Sequence, residues 1–404
     1  MNSIRKNKIK LYKDDIFLVV ALYLSLFNFV TLPFARIIRN VLVIVLLLYV
    51  IQNIKRLFQR ENKIIELLVL SYSIWMIIDS FFYNEYIYLA NVNSVLNSVI
   101  KGFIVFESVF AVDIYYKKRG ISRLLDILFG YVAVFFVISN SWIVITGFEK
   151  TPEDYYLIGT KFSTSYLNIL FIVLIFLKNR FYKKGVNYIG IASLFLYSFY
   201  FFLRLECSTA LIALFLLGVF LLFKLQLYKL FSNRLFFVVF YVVLFLFIYL
   251  YNLVLSNVYV SHVIVNILGE SLTMTGRTHI YQRLPEMMDG KWLTGFGSGR
   301  TGMILNFYTG CNDAQNGVWQ IICENGFIGF VLYALTSLKL NSNSIREKIT
   351  CSYYLSIYFV IMLVLGFVEI TLDTRLLVLL FIMYLYNDYF QKSTESLNGM
   401  YDHQ

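Results

Sequence analysis

The chain has 404 residues, of which 59% are hydrophobic and 19% aromatic, and its mean hydropathy is +0.70. Soluble domains are typically about 45–50% apolar, so this composition excludes an ordinary soluble protein and favours a polytopic membrane protein. The net charge of +11 could suit a nucleic-acid-binding protein, but the positions of the charges exclude that class, as shown below.

Apolar segments long enough to cross a bilayer follow one another along the chain. A spanning helix needs about 20 mostly apolar residues, and about twelve segments meet that rule. They lie at 15–34, 36–53, 64–83, 95–116, 124–147, 163–179, 187–204, 208–225, 235–255, 316–337, 350–367 and 373–390. We therefore predict an all-α fold in which residues 1–404 form a single membrane-embedded domain. No cleavage site follows the apolar run at 17–30, which predicts a retained first helix rather than a signal peptide.

The basic residues alternate between the two sides of these predicted spans. With the N-terminus on the cytoplasmic side, the inside connections carry 24 Lys and Arg residues and the outside connections carry ten. The positive-inside rule then predicts that both termini are cytoplasmic. It also explains the net charge as an orientation signal, so we expect a lipid bilayer and not nucleic acid as the surrounding partner.

One long polar interruption, residues 256–316, follows the ninth predicted span. It reads T-G-R-T-H-I-Y at 275–281, W-L-T-G-F-G-S-G at 292–299 and D-A-Q-N at 313–316. The charge pattern predicts that this loop is extracytoplasmic. Because the rest of the chain is built mainly for a bilayer, we expect 256–316 to be the catalytic loop.

Arg277 is the strongest candidate in that loop. Apolar residues recur after it with the spacing of a short amphipathic helix over 277–289, which Thr275 or Gly276 could cap. A helix N-terminus favours anions, and the planar guanidinium of an arginine binds phosphate oxygens in pairs. A loop arginine with no role beyond solvation remains the alternative.

Three further arginines are candidate ligands for a phosphorylated substrate. Arg204 ends the seventh predicted span beside Glu206, where a residue that only reaches the membrane interface is the alternative. Arg283 and Arg300 lie in the loop and are weaker candidates.

Polar residues around the start of the tenth predicted span could serve a sugar hydroxyl. Asp313 and Glu324 could accept a proton, whereas Gln315 and Asn316 could only orient the hydroxyl. A capping role for Asp313 and a structural hydrogen bond for Glu324 are equally consistent with the sequence.

Ionisable residues within the predicted spans are functional candidates, because an unpaired charge there is costly. Several fall towards the outer ends of their spans and could line the floor beneath the loop: Asp79, Lys101, Glu369, Asp373 and Arg375. Glu107 and Asp113 lie deeper, and we expect them to be paired within the helix bundle.

Two familiar kinds of site are not predicted. Residues 297–302 read G-S-G-R-T-G, which matches a dinucleotide-binding pattern, but no strand–turn–helix unit surrounds them, so we expect the glycines to form a tight turn. No cysteine and histidine cluster has metal-ligand spacing, and nothing in the spacing of the four cysteines requires a disulfide.

The order of these motifs resembles the O-antigen polymerase/ligase superfamily, which includes the Wzy-type polysaccharide polymerases. The family pattern is a G-R followed by an aromatic residue, a G-x-G turn, an A-H-N, and an E-x-G-x-x-G that opens the next span. Here these are Gly276-Arg277 with Tyr281, Gly295-Phe-Gly297, Ala314-Gln315-Asn316 and Glu324-Asn-Gly326-Phe-Ile-Gly329. The family layout of twelve spans with a large outer loop after the ninth also fits, so the resemblance covers essentially the whole chain.

The resemblance implies a GT-C-like, metal-independent glycosyltransferase without a cofactor, in a bacterial cytoplasmic membrane. It would join undecaprenyl-diphosphate-linked oligosaccharide units into O-antigen or capsular polysaccharide, with a chain-length regulator as an implied partner. Arg277 and Arg204 would hold the donor diphosphate, and Asp313 or Glu324 would assist the acceptor hydroxyl.

The chain departs from the family pattern at two positions. It reads Cys207-Ser208-Thr209 where the family often has Ser-Arg, and Arg204 could supply that cation. Gln315 stands where the family has a histidine, which in the ligases of the family activates the acceptor hydroxyl. A glutamine cannot take a proton, and this favours a polymerase over a ligase. Two alternatives stay open: a ligase that transfers a finished glycan, and a flippase for the same lipid-linked sugar.

Overall fold

The computed structural model describes residues 12–59, 63–82, 92–148, 156–185, 187–231, 233–262, 265–266, 276–342 and 352–401. The regular secondary structure in this part of the chain is helical, and no strand occurs in it. Thr275, the alternative cap suggested above, lies outside the described residues.

Fifteen α-helices follow one another in these ranges. They are α1 (Lys13–Ser25), α2 (Ala35–Gln52), α3 (Lys63–Ile78), α4 (Val92–Thr146), α5 (Lys161–Phe181), α6 (Tyr188–Arg204), α7 (Ser208–Leu222), α8 (Lys224–Phe231), α9 (Arg234–Ser256), α10 (Val258–His262), α11 (Arg277–Met287), α12 (Thr301–Thr309), α13 (Gly317–Ser342), α14 (Ser352–Leu365) and α15 (Thr374–Tyr401). Short 3₁₀ turns follow α2 and α3, at Ile54–Gln59 and Asp79–Phe81.

Six helices in the described part of the chain are long and apolar enough to cross a membrane. Their stretches are Ala35–Gln52, Lys63–Phe81, Val95–Thr146, Lys161–Phe181, Arg234–Tyr251 and Gly317–Asn341. Three shorter apolar helices occur at Tyr188–Arg204, Ser208–Leu222 and Tyr353–Leu365. The chain is therefore an α-helical protein suited to a membrane. A helix overlaps each of the twelve segments predicted above, but the first segment, 15–34, is helical only as far as Ser25, and the number of twelve spans stays a prediction.

Helix α4 is the centre of the bundle and consists of two helices joined end to end. Gly120 has φ 77° and ψ 173°, which no α-helix contains, and it lies between the fourth and fifth predicted spans. Helices α1, α2, α3, α5 and α15 all pack on α4. Apolar side chains on α2, α6 and α9 face outward instead, and such faces are suited to lipid.

The two deep acidic residues of α4 differ in their pairing. Asp113 forms an ion pair with Lys117, with Oδ2 2.6 Å from Nζ, as expected for a buried carboxylate one turn from a lysine. Glu107 is fully buried and has no hydrogen-bond partner among the described residues, so the expectation that it is paired is wrong.

Helix α13 also contains a break, and this one positions the candidate site. Gly326, the tenth residue of α13, has φ 65° and ψ −174°, which interrupts the helix. Helices α3, α9 and α15 pack around α13, so the interruption lies inside the bundle.

Candidate functional site

The segment at 292–297 fills the break in α13 with backbone hydrogen bonds. A broken helix leaves carbonyl and N–H groups without helical partners, and these need other partners when they are buried. The segment supplies them in both directions. Phe296 N–H donates to the Cys323 carbonyl (2.8 Å), Gly297 N–H donates to the Glu324 carbonyl (2.8 Å), and Phe327 N–H donates to the Trp292 carbonyl (2.7 Å).

The glycines of this segment permit that close contact. Gly295 and Gly297 have φ values of 69° and 82°, which side-chain-bearing residues rarely adopt. A Cβ on Gly295 would lie 2.6 Å from the Gly326 nitrogen, and one on Gly297 would lie 3.1 Å from the Ser80 Cα. The glycine-rich stretch is thus a backbone turn packed on a broken helix.

Arg277 lies at the first position of α11, as the sequence pattern predicts. Gly276 is the N-cap residue, with φ 88°, and α11 buries Ile280, Leu284 and Met287 on one side. The Arg277 side chain is turned to that same buried side, and the residue is only 8% exposed. Its position combines a cation with the N-terminus of a helix, and both attract anions.

The Arg277 guanidinium contacts two other parts of the chain. Its NH2 donates to Glu369 Oε1 (3.1 Å) and to Gln315 Oε1 (3.2 Å). Its Nε is buried and has no hydrogen-bond partner among the described residues. Arg277 therefore retains capacity to donate to a further acceptor.

Glu369 lies in the turn between α14 and α15 and is 5% exposed. Burial raises the pKa of Glu369 to about 8, against the opposing positive charges of Arg277 and Lys161, and the negative charge of Asp313 adds to the rise. A carboxyl group with a pKa near neutral can exchange a proton under physiological conditions.

Asp313 and Gln315 complete this cluster through a local turn. The Gln315 amide group and backbone N–H both donate to Asp313 Oδ1, and Gln315 has φ 49°. Burial raises the pKa of Asp313, and its hydrogen bonds from Gln315 and the charge of Arg277 oppose that rise. Tyr281 stabilises the turn by donating to the Gln315 carbonyl (2.7 Å).

Asn316, rather than Asp313, caps helix α13. Its Oδ1 accepts from the backbone N–H groups of Val318 (3.0 Å) and Trp319 (3.1 Å). Its Nδ2 donates to the carbonyls of Leu244 and Phe367, both at 3.3 Å. Asn316 is fully buried, so it positions the site residues and is not open to a ligand in this structure.

Glu324 belongs to a second polar cluster on the same helix. Its Oε1 lies 3.3 Å from Lys101 Nζ and accepts from Gln320 Nε2 at 2.9 Å. Lys101 also donates to the Ser298 carbonyl (2.9 Å), which connects α4 to the glycine-rich turn. Gln320 Oε1 accepts from the Ala314 N–H (2.9 Å) and so links this cluster to the Arg277 cluster.

The other three candidate arginines lie elsewhere. Arg283 is on the exposed side of α11 and pairs with Glu286 at 3.3 Å. Arg300 is buried at the N-cap of α12. Arg204 is exposed at the end of α6, with its guanidinium carbon 5.5 Å from the Phe148 ring centroid. None of the three contacts Arg277 through an observed hydrogen bond or ion pair between described residues.

Lys161 is a cation that the sequence analysis does not select. It begins α5, donates to the Glu206 carbonyl (2.8 Å) and acts electrostatically on Glu369. It therefore connects the end of α6, where Arg204 lies, with the Arg277 cluster. In the sequence it is one of several lysines in the connections predicted to lie outside, and no local spacing distinguishes it.

The described residues thus bring a helix N-terminus, a buried arginine, two carboxyl groups and an amide into one cluster. Such a set can bind an anion and move a proton.

No group of His, Cys, Asp and Glu residues in the described part of the chain is arranged to hold a metal ion. No protein-family model, curated protein or solved structure matches this chain.

Proposed function

We propose that this protein is a metal-independent glycosyltransferase of a bacterial cytoplasmic membrane. It polymerises undecaprenyl-diphosphate-linked oligosaccharide units into O-antigen or capsular polysaccharide on the outer membrane face. The proposal includes twelve spans, cytoplasmic termini and an outer loop at 256–316. The motif order in the sequence supports it, together with the cluster that these motifs form.

The observation that carries the proposal is the position of Arg277. A leaving diphosphate requires cations and N–H donors that neutralise the charge developing on its oxygens. Arg277 provides a buried guanidinium with an unpartnered Nε–H at the start of α11. A buried donor without a partner costs about 1–3 kcal/mol, and a phosphate oxygen would remove that cost.

Additional positive charge is available for the rest of the diphosphate. Lys161 acts electrostatically on Glu369, and Arg204 is two residues before Glu206, whose carbonyl Lys161 binds. In the proposed complex, Arg277 holds the phosphate that is bonded to the sugar. Lys161 and Arg204 attract the phosphate that is bonded to the lipid. The proposal gives Arg283 no role, because it is exposed and paired with Glu286.

The transfer step breaks the bond between the anomeric carbon and the diphosphate oxygen. The acceptor hydroxyl forms the new bond to that carbon, the diphosphate leaves with the electron pair, and the hydroxyl proton passes to a carboxylate. Asp313, Glu324 and Glu369 are the candidate acceptors of that proton. Gln315 orients the hydroxyl and cannot accept its proton, which favours polymerase over ligase.

The break in α13 favours the flippase alternative at first sight, because transporters often contain discontinuous helices whose free backbone groups bind the substrate. Here the freed carbonyls of Cys323 and Glu324 already accept from Phe296 and Gly297. The break therefore offers no vacant backbone acceptors at those two residues. This supports a fixed site over an alternating-access transporter.

The proposal is tested by complementation of a deletion strain, read as the ladder of sugar-chain lengths. Arg277→Ala should abolish long chains, and Arg277→Lys should reduce them strongly because a lysine cannot bind two phosphate oxygens in a plane. Arg180→Ala is the matched control, since Arg180 is exposed at the opposite end of α5 from Lys161. Normal ladders from both Arg277 variants would refute the mechanism.

The deletion strain itself separates the three activities. Accumulated single repeat units indicate a polymerase, whereas long chains retained on the carrier lipid indicate a ligase. If donor units reach the outer leaflet only when the protein is present, the protein is a flippase and the proposal is wrong.

A further inference from the structure

Glu369 is held in a fixed position by the turn between α14 and α15. The Gly366 carbonyl accepts from the Gly317 N–H (2.8 Å), and the Phe367 carbonyl accepts from Tyr281 Oη (3.1 Å). These bonds join the turn to the start of α13 and to α11. The Glu369 carboxyl group is thereby presented to Arg277 from a part of the chain 92 residues away.

The three candidate carboxylates differ in whether they would lose a hydrogen-bond donor when an anion binds Arg277. The partners of Glu324 are Lys101 and Gln320, and Lys101 is also anchored to the Ser298 carbonyl. Asp313 is held by the amide and the backbone of Gln315. These carboxylates keep their donors when Arg277 changes its partner.

Glu369, in contrast, depends on Arg277 for its hydrogen bond. Its one hydrogen bond with a described residue comes from Arg277, the same cation that the proposed donor diphosphate needs. Its Oε2 makes no hydrogen bond with any described residue. A diphosphate that takes Arg277 would therefore leave Glu369 as a buried carboxylate without a donor.

We propose that the Arg277–Glu369 ion pair is exchanged when the donor binds: Arg277 moves to the diphosphate, and the freed Glu369 accepts the proton of the acceptor hydroxyl. This inference rests on the proposed function and names its proton acceptor. The hydroxyl oxygen bonds to the anomeric carbon, the diphosphate leaves with the electron pair, and the proton ends on Glu369. Donor binding thus activates the base, so that transfer begins only with the diphosphate in place.

The charges around Glu369 support this exchange. The groups that act on it are Arg277 on α11, Asp313 and Lys161, with Tyr166 on α5 and Tyr281 on α11 also coupled to it. Arg277 is the foremost influence that lowers the pKa of Glu369. When Arg277 turns to a phosphate, the carboxylate becomes a stronger base at the moment when a base is required.

The position of Gln315 agrees with the same assignment. The side-chain oxygen Oε1 of Gln315 accepts from the same Arg277 nitrogen as Glu369 does. Gln315 can therefore guide Arg277 between its two partners, and the proton acceptor lies on the turn between α14 and α15.

The test compares Glu369→Gln with Glu286→Gln, which makes the same change in the exposed Arg283–Glu286 pair of α11. Full-length protein in detergent is titrated with farnesyl diphosphate at pH 9, where Glu369 is ionised, and transfer is measured at the same pH in membranes with lipid-linked donor. Glu369→Gln should bind farnesyl diphosphate about tenfold more tightly, because its competitor for Arg277 has lost its charge. It should lose about 100-fold or more in transfer rate, as expected for a general base.

Opposite effects on binding and transfer distinguish this role from a structural one, because a misfolded site would lose both. Transfer by Glu369→Gln at the wild-type rate, or weaker binding of the probe, would overturn the inference. If that variant cannot be purified, Glu369→Asp replaces it, since it keeps the charge but withdraws it by one CH₂ group. An unchanged transfer rate in Glu369→Asp would also overturn the inference.

Failure of the proposed function has a separate signature. In that case wild-type protein would neither bind farnesyl diphosphate nor elongate lipid-linked sugar, whatever residue 369 is. If the wild type does both and Glu369→Gln matches it, the glycosyltransferase proposal stands and only the assignment of Glu369 fails.

Discussion

A Cβ atom on Gly295 would lie 2.6 Å from the backbone nitrogen of Gly326, which is closer than real Cβ contacts allow. The two glycines meet where the segment at 292–297 fills the break in α13. Gly295 and Gly326 are 31 positions apart in the sequence, so the G-F-G and E-N-G-F-I-G motifs are two halves of one backbone contact.

We expect Gly295→Ala to destabilise the protein far more than Gly290→Ala. Both glycines have φ 69°, but nothing lies within 4 Å of a Cβ on Gly290. The backbone strain, about 1–3 kcal/mol, is common to both variants, and only Gly295→Ala adds the overlap with Gly326. Thermal unfolding in detergent measures the difference. Equal losses would show that the contact contributes nothing beyond the backbone conformation.

Asn316 should stabilise the protein through two separable sets of bonds. Asn316→Ala removes the cap of α13, worth about 1 kcal/mol, and leaves the carbonyls of Leu244 and Phe367 without this donor. Asn316→Ser retains a capping oxygen but is too short to reach those carbonyls. We therefore expect the serine variant to melt between the wild type and the alanine variant. A serine variant as unstable as the alanine variant would exclude the capping contribution.

The pKa of Glu369 predicts how transfer varies with pH. If Glu369 accepts the proton, kcat/KM should rise about tenfold per pH unit below its pKa and level off near pH 8. Asp313, whose pKa is also raised, shares the cluster, so loss of this rise in Glu369→Gln identifies the responsible group. A wild-type profile that is flat from pH 6 to 8 would contradict the assignment.

The same pKa predicts an opposite trend in stability. The folded state holds the Glu369 proton more tightly than the unfolded chain does, since the ordinary pKa is 4.5. Its contribution to stability is therefore complete below that value and is lost as pH rises through about 8. Glu369→Gln should remove this decline from the dependence of Tm on pH. A decline that persists in the variant must come from another group.

Thiol labelling tests the proposed orientation. After the native cysteines are replaced, Asp289→Cys should react with a membrane-impermeant maleimide on intact cells, because the 256–316 loop is proposed to be outside. Lys184→Cys should react only after the membrane is permeabilised. Both side chains are exposed, so burial does not explain a difference between them. The reverse labelling pattern would show that the chain has the opposite orientation in the membrane.

Sequence patterns were sufficient to locate helices but not to identify contacts between distant segments. The apolar periodicity after Arg277 predicts α11, and Gly276 caps it as expected. The break at Gly120 falls in the predicted basic connection between two spans. These features depend on neighbouring residues, which a sequence shows directly.

The partners of Arg277 could not be read in the same way. Glu369 looks like one of several acids near the end of a span, and Lys161 looks like an ordinary loop lysine. Their nearness depends on how α5, α11 and the turn before α15 pack, and no local spacing encodes it. Asn316 was expected to orient a sugar hydroxyl. Because the start of α13 is buried, its side-chain amide instead caps α13 through Oδ1 and donates to two backbone carbonyls through Nδ2.

The backbone contact between 292–297 and the broken helix α13 has a consequence for the synthesis of the protein. Residues 292–297 are synthesised before Cys323 and Glu324, so they are available to fill the break when α13 enters the bilayer. Without it, the carbonyls of the break would enter lipid unpaired, at a cost of several kcal/mol for each group. Insertion of this helix and folding of the 292–297 segment are therefore one coupled event, and a deletion in 292–297 should be recognised by quality-control proteases as a membrane-insertion defect.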